Sequence, residues 1–428
     1  MKYIRRIIDD KIDLRATVFD AICIVGPKGC GKTRTASERA KTIIEFQDEE
    51  KRERYLSVVE NSPSLMLTYE KPILFDEWQD APKIWGTIRK ACDETLNVGE
   101  YFLTGSTSKQ VETAHTGTGR ISTIEMYPMS LYESGESNGL ISLDSILSDK
   151  NYTIDGIKST LDIKDLIFAA CRGGWPRAIL IKNKRSSLEI AKDYFEQIYT
   201  KDVFAIDNSK KNQNWTKTII WSYARNMATI VKDKVIYTDV NANYPLSEKT
   251  YNDYVDVLEK LYVIKDIDAW CPQIRSKTAI RSAKKKIFID PSIAIAALGL
   301  SPEYFYSDFD LFGHVFENLV FRDLLVFASK HNGKVLHYRD EYGLEIDAIY
   351  QKENGDYALI EIKTGTSKLD DAEQNLLKFK TLIEEYNKKH PEVPYRLPSA
   401  LIVISGTLDM AYKTKNGVYM IPIGCLKD

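Results

Sequence analysis

Two groups of residues in this chain have the types and spacing to do chemistry on phosphates. The first is Gly26-Pro27-Lys28-Gly29-Cys30-Gly31-Lys32-Thr33, which fits G-x-x-x-x-G-K-[ST] at every position. Glycines at this spacing let backbone N–H groups turn inward on an anion at a helix start. Lys32 is then expected to reach the β- and γ-phosphates of ATP, with the Thr33 hydroxyl on Mg²⁺ and Arg34 following in the helix. The segment Pro72-Ile73-Leu74-Phe75-Asp76-Glu77 supplies the rest of that site, an apolar strand ending in two adjacent carboxylates. Asp76 is expected to hold Mg²⁺ through water, and Glu77 to polarise the water that attacks the γ-phosphate. A kinase acting on a small molecule is disfavoured, because Glu77 is the residue a hydrolase needs.

The second group lies in the last third of the chain, in Leu344–Tyr350 and Tyr357–Lys363, two apolar runs joined by the turn Lys352-Glu353-Asn354-Gly355-Asp356. Strand side chains alternate, so Glu345 and Asp347 share one face, and Glu361 and Lys363 share one face of the partner strand. The arrangement suits a metal-dependent phosphodiesterase. Asp347 and Glu361 would hold Mg²⁺, with the Ile362 carbonyl as a further ligand, and Lys363 would orient or activate water. Glu317 would complete the shell from a preceding helix. The competing reading is cross-strand ion pairs on a solvated sheet face.

These residues need a scaffold, and the pattern around them gives an α/β fold. Ala21–Val25 reads as a buried strand before the glycine loop and 34–46 as the helix after it. A short strand is expected at Tyr55–Val59, a helix at Ile84–Glu94, and strands at Tyr101–Ser106 and Ile121–Met126. Alternation of this kind predicts a parallel sheet with the nucleotide at the strands' C-terminal edge. Thr104 or Ser106, at the end of one strand, would lie between the two acid- and phosphate-bearing strands, though a plain strand-end turn fits equally. Arg120 would act on a nucleotide, in this chain or a neighbouring copy, or else form a surface ion pair.

From 130 to 212 two helical patterns, around Ile163–Cys171 and Leu188–Tyr199, suggest a helical lid. They are joined by Arg172-Gly173-Gly174-Trp175-Pro176-Arg177. Pro176 is suited to the first position of a helix, which places Arg177 in its first turn, facing phosphates or serving structure. Residues 213–300 read as three helices followed by a basic hairpin. Ser247 caps the helix that carries Tyr251, Tyr254, Val255, Leu258 and Leu261. The stretch 269–289 holds Arg275, Lys277, Arg281, Lys284, Lys285 and Lys286, a winged-helix pattern facing DNA or a protein. Residues 301–428 hold the acidic group, a helix to about Ser329, a second helix at Asp371–Tyr386 bearing Gln374, and a strand at Ala400–Ile404.

A chain of 428 residues is long enough for several domains. With 59 Lys and Arg against 61 Asp and Glu, any basic surface must be local. The six cysteines lack C-x-x-C pairing, which speaks against zinc sites and a disulfide framework and suits a reducing cytoplasm. No apolar run approaches the roughly eighteen residues needed to span a bilayer, so a cytoplasmic protein without membrane contact is expected.

The chain resembles the prokaryotic AAA+ ATPases that end in a domain of unknown function similar to PD-(D/E)xK nucleases. The resemblance rests on Gly26–Thr33, Leu74-Phe75-Asp76-Glu77-Trp78-Gln79, Leu103-Thr104-Gly105-Ser106, Gly119-Arg120 and Gly173-Gly174-Trp175-Pro176. Phe316-Glu317-Asn318, Glu345-Ile346-Asp347 and Ile360-Glu361-Ile362-Lys363 complete it. It implies an AAA+ P-loop core at 1–129, the lid at 130–212, the winged helix at 213–300, and at 301–428 a nuclease-like domain with a restriction-endonuclease-like core. It implies ATP and Mg²⁺ as cofactors and a γ-phosphate sensor at Thr104 or Ser106. The partners expected beside ATP are DNA and either further copies in a homo-oligomeric ring or a protein. Under this resemblance, nucleotide state would drive the tail. The alternative is a regulatory switch that recruits a protein and does not cut.

Overall fold

The computed structural model describes residues 3–95, 97–106, 117–149, 151–205, 212–271 and 283–428. The chain forms two compact units. One runs to Pro128 and includes Lys260–Tyr262, and the other comprises Met129–Glu259 and Val263–Asp428.

The first unit is built on five parallel strands: β1 (Ala21–Val25), β2 (Thr42–Glu45), β3 (Ile73–Asp76), β4 (Tyr101–Gly105) and β5 (Ile121–Glu125). Their order is β2-β3-β4-β1-β5. β1, β3 and β4 are nearly continuous apolar runs because both sheet faces are covered. Ile44, Ile73, Phe75 and Leu103 fill one core with Ile84, Trp85 and Ile88 of the Lys83–Glu94 helix. Ile22, Ile24, Leu74 and Phe102 fill the other. Because β4 lies between β1 and β3, the glycine loop after β1 and the acids ending β3 flank the end of β4.

Two expectations in this unit are corrected. The helix after the glycine loop spans only Lys32–Ser37, and Thr42–Glu45 is a strand. The β-branched Thr42, Ile43 and Ile44 favour the pleated form over a third helical turn. Conversely, Tyr55–Val59 lies inside the helix Arg52–Asn61. Tyr55, Leu56 and Val59 share one face of it at i, i+1, i+4 spacing and pack on the core.

The second unit holds β6 (Ile141–Ser142) and the helices Ile163–Arg172, Pro176–Leu180 and Lys184–Gln197. Three more helices follow, Gln213–Arg225, Asp233–Asn243 and Glu248–Lys260, the last with its end residue assigned to the first unit. The antiparallel hairpin β7 (Ile264–Ile267) and β8 (Lys285–Phe288) comes next, with Ile230 bridged to Lys285. The last part is a mixed sheet of β9 (Lys334–Arg339), β10 (Glu345–Gln351), β11 (Tyr357–Lys363), β12 (Ala400–Ser405), β13 (Tyr412–Lys413) and β14 (Tyr419–Pro422). Its order is β13-β14-β12-β11-β10-β9. The helix Leu369–Lys389 covers one face through Leu376, Phe379 and Ile383, and Trp270 from the segment after β7 joins that core. β9 went unread in the sequence.

Apart from Lys260–Tyr262, the segments read as lid, middle and tail belong to this one unit. β15 (Leu426–Lys427) pairs in parallel with β6, and Ser142 Oγ donates to the Asp428 carbonyl at 2.6 Å. The Gly-Gly-Trp-Pro turn is a joint inside it. Gly174 N donates to Asp290 at 2.8 Å, and Trp175 Nε1 to Ser292 at 3.0 Å. A Cβ on Gly174 would stand 2.2 Å from the Met129 carbonyl oxygen, so only glycine passes there. Asp290 also binds Arg322 at 3.1 Å, and Arg322 binds Asp323 at 2.8 Å. Arg177 is exposed in this second unit.

The basic hairpin is corrected in part. Arg275, Lys277 and Arg281 lie outside the described residues, and Lys284 is half exposed beside Asp268. Lys285 and Lys286, however, are each 1% exposed. Lys286 pairs with Asp266 and Asp233, so neither of these two lysines is a solvated contact for phosphates.

Candidate functional site

The glycine loop leaves β1 at Gly26, where φ is 150° and a Cβ would fall 2.1 Å from the Met126 carbonyl oxygen. The turn needs glycine for that close approach. Gly31, with φ 105°, opens the Lys32–Ser37 helix. Lys32 is buried, and its Nζ donates to the carbonyls of Gly26 at 3.0 Å and Pro27 at 2.8 Å. The Cys30 side chain faces inward, its Sγ donating to the Met126 carbonyl at 3.8 Å, so Cys30 can offer only its backbone. Arg6, unread in the sequence, donates to the carbonyls of Cys30 at 2.8 Å and Tyr127 at 2.9 Å and braces the loop from behind.

A cavity of about 460 Å³ opens beside the loop, lined by Lys28, Gly29, Gly31, Lys32, Thr33, Arg34, Gln47, Glu77 and Ser106. Thr33 Oγ1 donates to Asp76 Oδ1 at 2.7 Å, and Thr104 Oγ1 donates to the same oxygen. A hydroxyl and a carboxylate side by side fit Mg²⁺, which takes hard oxygen ligands and completes its shell with phosphate and water. Thr104 is fully buried and serves Asp76, whereas Ser106 Oγ donates to Glu77 at 2.9 Å. The two polar residues at the end of β4 therefore have different partners. Glu77 takes a left-handed backbone conformation, φ 53° and ψ 49°, which is uncommon for a residue with a side chain. Arg120 pairs with Asp93 at 2.6 Å and does not line the cavity. Gln47 and Gln79 are the residues here that sequence reasoning passed over. Gln79 had a signal, two positions after Glu77, and Gln47 had none because it opens a charged segment, Gln47 to Arg54, that carries no motif.

The acidic group of the second unit is brought together. The Ile362 N–H donates to Asp347 Oδ2 at 2.8 Å. Lys363 Nζ spans Asp347 at 3.0 Å and Glu361 at 2.6 Å. Glu317 arrives from the helix Phe309–Lys330 and meets Lys285 Nζ at 2.5 Å. Lys285 also donates to the Asp347 carbonyl at 3.1 Å and stands 3.6 Å from Glu345. From the Leu369–Lys389 helix, Asn375 rather than Gln374 faces the group, donating to Glu361 at 2.7 Å. Lys285 and Asn375 were missed because both are set by packing of distant segments.

Burial works against the Asp347 carboxylate, but Lys363, Lys285 and the Ile362 N–H outweigh it and hold its pKa below the ordinary value. Burial, then the Asp347 charge, push Glu361 up to about 8 despite Lys363. Burial likewise raises Glu317 to about 7 against the pull of Lys285. Two ammonium groups thus sit on one carboxylate oxygen each of Glu317, Asp347 and Glu361. Among the described residues no three His, Cys, Asp or Glu side chains are grouped to hold a metal ion. As arranged, Glu317, Asp347 and Glu361 do not fit Mg²⁺.

Comparison with known proteins bears chiefly on the first unit. Residues 18–135 match the family described as AAA domain. That region is similar to AAA-type P-loop domains, a class that implies nucleotide binding and usually Mg²⁺. Residues 163–304 and 312–426 match two families described as domains of unknown function, DUF8612 and DUF4143. The chain is 24% identical over 300 residues to an uncharacterized protein of Methanocaldococcus jannaschii, MJ1544. That match covers 68% of this chain and spans 61% of the relative's length. Among solved structures, the Walker-type ATPase paby2304 of Pyrococcus abyssi aligns over 68% of this chain and 94% of its own. It does so with a TM-score of 0.41 and 12% identity. A Thermotoga maritima RuvB mutant aligns over 60% and 88%, with a TM-score of 0.29 and 15% identity. Among the described residues no helix is long and apolar enough to cross a membrane.

Proposed function

We propose that the protein is a Mg²⁺-dependent ATPase that uses nucleotide state to control a binding activity of its second unit. The observation that carries this reading is the meeting of Lys32, Thr33, Asp76, Glu77 and Ser106 around one cavity. Lys32 would bind the β- and γ-phosphates, and Thr33 with Asp76 would hold Mg²⁺, which when bound would neutralise charge on the γ-phosphoryl group. Glu77 accepts a proton from the attacking water.

For the second unit, we read residues 213–300 as a winged helix and 301–428 as a nuclease-like sheet that binds without cutting. Pairing of Glu317 with Lys285, a lysine outside the expected catalytic quartet, supports this over cleavage. Burial of Lys285 and Lys286 favours a protein over DNA as the partner. The cutting alternative draws support from the convergence of Glu317, Asp347, Glu361 and Lys363.

Wild type, Lys32→Ala, Glu77→Gln and Asp347→Ala are to be assayed for phosphate release from ATP and for cleavage of single- and double-stranded DNA with Mg²⁺ or Mn²⁺. ATP turnover by wild type and Asp347→Ala, with none by Lys32→Ala or Glu77→Gln and intact DNA throughout, is expected. DNA cut by wild type and spared by Asp347→Ala would establish the nuclease instead.

A further inference from the structure

The Glu77 carboxylate is held from two sides. Ser106 Oγ, just past β4, donates to its Oε2 at 2.9 Å, with the Ser106 N–H at 3.4 Å. The Gln79 amide, from the short turn Trp78–Asp80, donates through Nε2 to the same oxygen. The left-handed backbone at Glu77 turns the chain so that residues 77 and 79 face each other at this short range. Gly105 accommodates Gln79, since a Cβ there would stand 3.0 Å from Gln79 Oε1.

The orientation of the Gln79 amide is set by chemistry. Flipping it would put Oε1 against the carboxylate oxygen, two acceptors facing each other, so Nε2 must face Glu77. The consequence is that Gln79 Oε1 lies buried and has no hydrogen-bond donor among the described residues. A buried acceptor without a donor is costly and uncommon, and such groups concentrate at sites that serve function. Among the described residues no other hydrogen bond of Gln79 calls for an amide. A methionine or leucine of similar length would fill the space without the orphaned oxygen.

We infer that Gln79 is a positioning residue for ATP hydrolysis, acting with Ser106 to fix one Glu77 oxygen so that the other is turned to the attacking water. This rests on the ATPase reading and extends it to a residue that touches neither phosphate nor metal. Both donors load Oε2, which leaves Oε1 as the acceptor for the water's proton. Loss of either donor lets the carboxylate rotate, and the productive orientation is populated less often. Nucleotide affinity should not change, because Gln79 is not among the residues lining the cavity.

The test measures kcat, KM and the affinity for a fluorescent ATP analogue in wild type, Gln79→Met, Ser106→Ala, Ser106→Thr and Glu77→Gln. Gln79→Met and Ser106→Ala are expected to lower kcat by about ten- to a hundredfold, part of the full contribution of a general base. For Gln79→Met, analogue affinity stays within about twofold of wild type, which also reports that the site is folded, while Ser106→Thr keeps the hydroxyl and retains most of the turnover. A kcat for Gln79→Met equal to or above that of wild type, with affinity intact, overturns the inference and leaves the ATPase reading standing. A change in affinity without change in kcat does the same. Absence of turnover in wild type, with the analogue bound, overturns the ATPase reading and this inference with it.

Discussion

The Lys285 ammonium and a Glu317 carboxylate oxygen meet at 2.5 Å across 32 positions of sequence. Lys285 belongs to the hairpin and Glu317 to the helix under the mixed sheet, so the pair ties the middle of the second unit to its tail. Lys285 is 1% exposed, and a buried ion pair stripped of one partner leaves an uncompensated charge. Lys285→Met is therefore expected to destabilise the second unit by about 3–5 kcal/mol. Lys285→Met with Glu317→Gln should recover much of that loss. Urea denaturation of the four proteins in that double-mutant cycle checks it, and equal midpoints for Lys285→Met and wild type would show that the pair contributes nothing.

Gly26→Ala should abolish nucleotide binding while leaving the second unit folded. The new Cβ would stand 2.1 Å from the Met126 carbonyl oxygen, which is fixed by the hydrogen bond from the Met126 N–H to Val25 at 2.8 Å. The loop must shift, and with it the Gly26 carbonyl that holds Lys32. Loss of the fluorescent ATP signal, with the circular dichroism of the chain preserved, is the expected result.

The sequence made the first site readable because its chemistry is local. Gly26 to Thr33 and Asp76-Glu77 are contiguous, and the register of β3 with β4, Asp76 opposite Thr104, follows from one parallel sheet. The short helix and β2 were misread because Arg34 to Phe46 has enough helix formers to mask the β-branched Thr42–Ile44. In the second unit the quartet itself was legible from strand alternation. Its neutralisation was not, since Lys285 is brought to Glu317 by the packing of a hairpin whose partners no periodicity reveals. The same holds for the Gly-Gly-Trp-Pro turn, whose role depends on Asp290 and Arg322, well over a hundred residues away.

The stability of the second unit should fall as pH rises toward 8. Glu361 and Glu317 are raised to about 8 and about 7, so between roughly pH 4.5 and those values the folded state holds protons that the unfolded chain has released. Their contribution is complete below the unfolded pKa and is lost as pH climbs through the folded ones. Asp347, held low, acts the other way only near and below pH 4, outside this window. Thermal melting at pH 5.5, 7 and 8.5 should give the lowest Tm at pH 8.5, and Glu361→Gln should flatten the dependence. A Tm that rises from pH 5.5 to 8.5 would contradict it.

Arg322 is expected to give a large single-residue effect. It is 1% exposed, with Asp290 at 3.1 Å and Asp323 at 2.8 Å, themselves almost fully buried. Each acid also holds backbone from elsewhere, Asp290 taking the Gly174 N–H at 2.8 Å and Asp323 the Leu131 N–H at 3.1 Å. The guanidinium thus neutralises two carboxylates that orient the Gly-Gly-Trp-Pro turn and the start of the unit. Arg322→Leu leaves both acids without their cation, at a cost of about 3–5 kcal/mol or more. Arg322→Lys keeps the charge but cannot span both acids with a planar fork, so it should fall between wild type and Arg322→Leu. Hydrogen exchange at Gly174 and Leu131 is the measurement of choice, because it reads these joints directly. Faster exchange at both amides in Arg322→Lys is expected, and unchanged protection would mean that Asp290 and Asp323 hold the backbone unaided.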